Sequence, residues 1–222
     1  MARRPYGQFC GVSRAMELVG ERWALLIVRD LLVSPKRFTD LRRGLPGIPT
    51  NILSARLKEL EETGIVRRKV LPRPVGSIVY ELTEYGGELE EVVLSLGRWG
   101  ARSLDDPGPG EVITADSMIV ALRSTFRSEA ARGLRAGYEL RLGDFVIHAR
   151  IQDGTLATGP GPMPHADLVI DSGPALRALM ADEIGPDEAI ATGSVRVTGD
   201  PALLARFAEL FRIPARPQAR SA

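Results

Sequence analysis

The chain of 222 residues has a single cysteine, Cys10, so no internal disulfide can form and a reducing compartment suits it. It has two histidines, His148 and His165, neither with a ligand-spaced partner, so no metal site is expected. There is no glycine-rich phosphate loop and no catalytic constellation. These absences argue against an enzyme, and no cofactor is expected. No apolar run approaches the roughly 20 residues that a bilayer-spanning helix needs. Arg3 and Arg4 lead into no apolar segment, so neither a membrane anchor nor a signal peptide is expected, and the cytoplasm is the expected location. Lysine is scarce, at positions 36, 58 and 69 alone, so arginine carries almost all of the positive charge.

The charge that is present is unevenly placed. Residues 1–104 carry 17 basic and 12 acidic side chains, a net +5, whereas residues 105–222 carry 12 and 16, a net −4. A basic half and an acidic half point to two jobs, one of them meeting nucleic acid. Asp105-Asp106-Pro107-Gly108-Pro109-Gly110 reads as the linker between them.

The basic charge is concentrated between Lys36 and Arg73, where ten basic residues face four acidic ones. The pattern here predicts a short helix over Phe38 to Leu45 and a bend at Gly44, Pro46, Gly47 and Pro49. A second helix starts near Thr50, whose hydroxyl is placed to cap it. Leu53, Leu57 and Leu60 recur at helical spacing and form the buried stripe. Asn51, Ser54, Ala55 and Lys58 then lie on the opposite face, with Arg56 at the flank, and Gly64 ends the helix. Two helices joined by a short glycine-containing turn are a helix-turn-helix, and a polar outer face of short side chains suits base edges in a major groove. Val66 to Leu71 and Ser77 to Leu82 read as strands flanking the tip Pro72-Arg73-Pro74-Val75-Gly76, which makes a wing. The expected DNA-facing set is therefore Thr50, Asn51, Ser54, Ala55 and Lys58 on the helix. Arg37, Arg42, Arg43, Arg56, Arg67 and Arg73 are the expected phosphate contacts.

Beyond this periodicity, specific residues carry a family likeness. They include Cys10, the run Ala15-Met16-Glu17-Leu18-Val19-Gly20-Glu21-Arg22-Trp23, and Leu25-Leu26-Ile27-Val28-Arg29-Asp30-Leu31-Leu32. Arg37-Phe38-Thr39-Asp40-Leu41, Leu53-Ser54-Ala55-Arg56-Leu57 and Tyr80-Glu81-Leu82-Thr83 continue it. In these stretches Cys10 to Leu104 resembles the HxlR family of bacterial winged helix-turn-helix transcriptional regulators. The chain departs from the family after Cys10, where Gly11 replaces the usual proline. The resemblance implies a homodimer built from the first helix and the last helix of the domain. Glu84 to Leu104 reads as that last helix, one long element with Leu89, Val92, Val93, Leu96 and Trp99 along one side as the expected interface. The resemblance also makes Cys10 a candidate redox residue, and Arg14, one helical turn on, is a candidate stabiliser of its thiolate.

The expected fold class is α+β. A winged helix-turn-helix domain occupies residues 1–104, a linker 105–112, a second domain 113–214 and a tail 215–222. Within the winged domain, helices are expected over Val12 to Val19 and Trp23 to Val33. Beyond the linker, Asp116 to Phe126 and Pro174 to Ala181 are helical in pattern. Tyr138 to Leu142, Phe145 to Gln152, Thr155 to Thr158, Leu168 to Asp171 and Ser194 to Val197 read as strands. Pro201 to Phe211 is expected to close the domain, with Asp200 as its N-cap. The runs Pro164 to Asp171, Pro174 to Leu179 and Ala191 to Phe207 resemble a sterol-carrier-protein domain. That likeness implies an α/β fold with a five-stranded, antiparallel-type sheet and an apolar groove. Leu140, Leu142, Ile147, Ile151 and Ile170 are candidate walls of such a groove. The leading expectation is a homodimeric regulator that binds double-stranded DNA and is gated by a small apolar ligand. The alternatives are a thiol redox regulator acting through Cys10, or a lipid-binding carrier.

Overall fold

Ala24, Ile27, Val28 and Leu31 are buried along one helix, and the N-terminal part of the protein is assembled around it. The computed structural model describes residues 5–72 and 76–215, and the chain divides into two units between Val93 and Leu94. The first unit holds α1 (Gly11–Val19), α2 (Ala24–Val33), α3 (Phe38–Gly44) and α4 (Thr50–Glu62). These are followed by β1 (Val66–Val70), β2 (Ile78–Leu82) and the short α5 (Glu84–Gly87). The helix α2 starts one residue later than expected because Trp23 takes a left-handed conformation, φ 80°, as its N-cap.

Leu53, Leu57 and Leu60 are each no more than 1% exposed, so the helical period read from the sequence marks the buried side of α4. Each such burial contributes about 1.5–3 kcal/mol. The start of α4 differs from expectation. Pro49 is the N-cap and Thr50 is already helical, so the Thr50 hydroxyl caps nothing. At the other end Gly64 sits at φ +72°. Its N–H donates to the Glu61 carbonyl, and the Ile65 N–H donates to Leu60 (2.9 Å). That double closure fixes where the chain leaves α4 and enters β1. The strands pair antiparallel from Val66↔Leu82 to Val70↔Ile78, and Lys36 adds a bridge to Tyr80 through two backbone hydrogen bonds.

The segment Glu84 to Leu104 is two helices, not one. In α5, Thr83 accepts from the Gly86 N–H and donates to the Gly64 carbonyl. Gly86 lies so close to Ile65 that a Cβ would come 2.0 Å from its carbonyl oxygen. This docking ties the short helix to the start of the wing, and a new helix, α6 (Glu90–Ala101), begins after Leu89. The unit boundary thus falls inside α6, ahead of the acidic linker. The linker is fastened to the second unit. Arg177 donates to the Leu104 carbonyl and pairs with Asp106, and Arg102 donates to the Ala215 carbonyl.

The second unit opens with α7 (Ala115–Thr125), closed at its N-terminus by reciprocal bonds between Thr114 and Ser117. β3 (Arg135–Leu142), β4 (Phe145–Gln152) and β5 (Thr155–Pro160) form a meander. β6 (Leu168–Ser172), α8 (Ala175–Met180), α9 (Pro186–Ala191), β7 (Val195–Gly199) and α10 (Ala202–Leu210) complete the unit. The strand order is β5-β4-β3-β6-β7. The sheet is mixed, because β3 and β6 run parallel, and this corrects the antiparallel expectation. The cause lies in the loop before β6. Asp167 accepts the Gly137 N–H on its carboxylate (2.7 Å) and donates its own N–H to the Gly137 carbonyl (2.8 Å), so β6 starts beside the start of β3. Pro201 is the N-cap of α10, while the Asp200 carboxylate accepts from the Ala202 N–H.

Leu140, Ile147 and Ile170 are fully buried, and Ile151 and Leu142 are 1% and 5% exposed. They are core, packed beneath α7 and α10 with Tyr138 and Phe207, rather than walls of an open groove. No helix among the described residues is long and apolar enough to cross a membrane.

Candidate nucleic-acid interface

With its leucines turned inward, α4 exposes Thr50, Asn51, Ser54, Ala55 and Lys58. The Ser54 hydroxyl donates to the Thr50 carbonyl (3.0 Å), which leaves its oxygen to accept. Lys58 lies 3.8 Å from Glu62, both side chains well exposed, a contact weak enough for a base edge or phosphate to displace. Arg37, Arg42 and Arg43 are exposed on α3 and at its N-terminus, and no carboxylate pairs with Arg42 or Arg43 among the described residues.

The other expected phosphate contacts are placed differently. The Arg56 side chain is only 14% exposed, and it pairs with Glu59 on its own helix and with Glu21 (3.1 Å) ahead of α2. It clamps α4 to the segment between α1 and α2 and is not a free cation. On the wing, Arg67 (2.8 Å) and Lys69 (3.1 Å) share Glu81 of the partner strand, and Arg68 pairs with Glu61. Lys69, with Arg67, holds the Glu81 carboxyl below the usual carboxylate range, and Arg68 does the same for Glu61. Arg73 lies outside the described residues. The fold therefore brings in Glu21 and Glu81, which the count between Lys36 and Arg73 omitted, and concentrates the unpaired charge on α3.

One basic residue escaped the sequence reading. Arg22 is exposed, with its guanidinium 5.1 Å from the centre of the Trp23 ring. Both line a cleft of about 330 Å³ with Pro49, Ile52 and Arg56 at the start of α4. Its signal in the sequence was the Glu21-Arg22-Trp23 run, which marks the entry to α2 but not its nearness to α4.

Cys10 is exposed and immediately precedes α1. Its place ahead of the polar groups of the first turn, the Ser13 N–H first and then the Val12 N–H and the Ser13 side chain, lowers its thiol pKa. Arg14 is paired with Glu17 (3.0 Å), so the stabilising groups are the free amides of the helix start rather than that arginine. Along α6, Val92, Leu96 and Trp99 are exposed, Trp99 by 72%. Val93 is buried within the protomer and Leu89 is half-buried ahead of the helix, so neither belongs to an open stripe. Phe9, Val12 and Met16, at and before α1, are also exposed. His148 bonds the Gly161 carbonyl through Nδ1, and His165 lies in a loop at φ +58°. No group of three or more His, Cys, Asp or Glu among the described residues is placed to hold a metal.

The HxlR-like helix-turn-helix family matches residues 18–107. The regulator YvaP of Bacillus subtilis is 36% identical over 93 residues, 42% of this chain and 86% of its own length. The chain belongs to the HxlR-like family. YodB of Bacillus subtilis, an HTH-type transcriptional regulator, is 40% identical over 97 residues, 44% of this chain and 86% of YodB. Among solved structures, the redox regulator HypR in its oxidized form aligns at 34% identity, over 43% of this chain and 99% of its own, with a TM-score of 0.41. As an HxlR-like regulator, the protein is a DNA-binding transcriptional regulator.

Proposed function

We propose that the regulator acts in the cytoplasm as a homodimer, with α4 of each protomer in a major groove of one operator. The carrying observation is the division of α4 into a buried leucine side and an exposed side of Asn51, Ser54, Ala55 and Lys58. Asn51 and Lys58 have the chemistry for adenine and guanine edges, while Arg37, Arg42, Arg43 and Arg22 face the phosphates. Arg67 and Lys69 reach DNA by exchanging Glu81 for a phosphate. Exposed Val92, Leu96 and Trp99 on α6, with Val12 and Met16 on α1, support dimerisation, since such apolar surface is costly in water. The second unit, with its five strands and covering helices, supports a sterol-carrier-type arrangement serving as the effector half. The test is retention of genomic fragments by the full-length protein. Enrichment of fragments carrying two related half-sites roughly 34–36 Å apart supports the reading, and uniform retention of all fragments contradicts it.

A second reading rests on the exposed Cys10 at the start of α1, whose thiolate the helix amides favour. Its oxidation to an interchain disulfide would alter the pairing of protomers. Oxidant-treated wild type should then lose operator binding while Cys10→Ser keeps it. Equal behaviour of the two proteins dismisses the switch.

A further inference from the structure

The second unit contains an open groove of about 530 Å³ whose rim carries Arg98, Arg127 and Arg212. That size is within the range of small-molecule sites. Arg98 Nε donates to the Ser124 carbonyl (2.7 Å) and Arg127 Nη1 to the Glu209 carbonyl (3.3 Å). Carbonyls orient these guanidiniums without cancelling their charge, and neither arginine pairs with a carboxylate among the described residues. Arg212 is neutralised by Asp182, and Glu129 is the acidic residue of the lining. Two uncompensated cations thus line one groove, Arg98 from α6 and Arg127 from the half of the chain whose net charge is −4.

Phe126 and Pro214 give the groove its apolar side. Phe126 packs 5.6 Å from Phe211, which lies 4.7 Å from Phe207. The Arg127 N–H donates to Leu210 and the Arg212 N–H to Thr125, which rivets the two backbones on either side of that stack. Half-buried Phe126 therefore lines the same groove as two guanidiniums, each bonded through one nitrogen to a carbonyl.

We propose that this groove binds a small organic acid, a carboxylate carried on an acyl chain or aromatic ring. The carboxylate lies between Arg98 and Arg127 and the apolar body lies over Phe126. Two planar forks meeting a planar carboxylate give charge-assisted, bidentate geometry. The site is distinct from the groove expected at Leu140, Leu142, Ile147, Ile151 and Ile170, which are buried in the sheet. The site concerns the second unit alone and does not rest on the dimeric DNA reading, because the assay below contains no operator.

The test is calorimetric titration of the full-length protein with octanoate, with octan-1-ol as the uncharged counterpart and inorganic phosphate as charge without an apolar body. We expect octanoate to bind one per protomer, with octan-1-ol and phosphate at least about tenfold weaker. Arg98→Gln and Arg127→Gln should each weaken octanoate about tenfold or more, and the lysine variants should recover part of the loss. Unchanged circular dichroism spectra keep the comparison meaningful. Absence of octanoate binding, equal binding of octan-1-ol, or wild-type affinity in folded Arg127→Gln would overturn the proposal. Displacement of octanoate by a duplex of unrelated sequence would reassign the arginines to the DNA backbone and overturn it equally.

Discussion

The arginines around α4 and the wing do different work from the two that line the groove of the second unit. On the wing and at the flank of α4, Arg56, Arg67 and Arg68 are held by carboxylates, so their charge is largely spent inside the protein. In the second unit Arg98 and Arg127 are held by backbone carbonyls, which set direction and leave the charge available. A count of basic residues cannot separate these cases; the identity of the oxygen acceptor does. The same distinction divides the first unit, where Arg42 and Arg43 stand apart from the paired set.

The difference can be broken or sharpened by substitution. Leu57→Ala should have the largest effect, a loss of about 2–5 kcal/mol of stability, because Leu57 is 1% exposed in the stripe that seats α4. Chemical denaturation measures it, and a neutral result would mean that the stripe is not the buried side. Arg42→Ala with Arg43→Ala should weaken binding to every duplex and flatten the dependence of log K on log salt by about 0.9 for each phosphate no longer neutralised. Arg56→Ala should leave that slope unchanged while lowering the melting temperature, since it removes a clamp and leaves Glu21 and Glu59 unpaired. Lys58→Ala should relax base preference by about 1–3 kcal/mol where its contact is to guanine, measured by competition among single-base operator variants.

The smallest effect concerns the wing. Glu81→Gln should free Arg67 and Lys69 and raise affinity for unrelated DNA a few-fold at low salt. Because Lys69 and Arg67 lower the Glu81 pKa, its contribution to folding is complete above the ordinary glutamate value of about 4.3. It is lost as pH falls through the lowered value. A pH-dependent stability profile that does not change in Glu81→Gln would contradict this.

Much of the first unit was legible because its information is local. Leucines at 53, 57 and 60 and Gly64 at the helix end each decide their own few residues. The pairing of Arg56 was not legible because its partner Glu21 is 35 residues away, nor that of Arg67, because Glu81 enters only through strand pairing. The break after α5 depends on Gly86 meeting the Ile65 carbonyl, again a distant neighbour in sequence. In the second unit the strands of the meander follow from period-two burial and from Asp153-Gly154, both at positive φ as the tight turn requires. The parallel β3–β6 pair and the arginine groove arise from long-range closure, which no short pattern records.

The most direct measurement of the central claim is selection of duplexes from a random pool by the full-length protein and by the variant Asn51→Ala, Ser54→Ala, Lys58→Ala. The account predicts that the wild type enriches a repeated half-site and that the folded variant enriches none while keeping salt-sensitive binding. Enrichment of the same motif by both proteins would show that α4 does not read the bases.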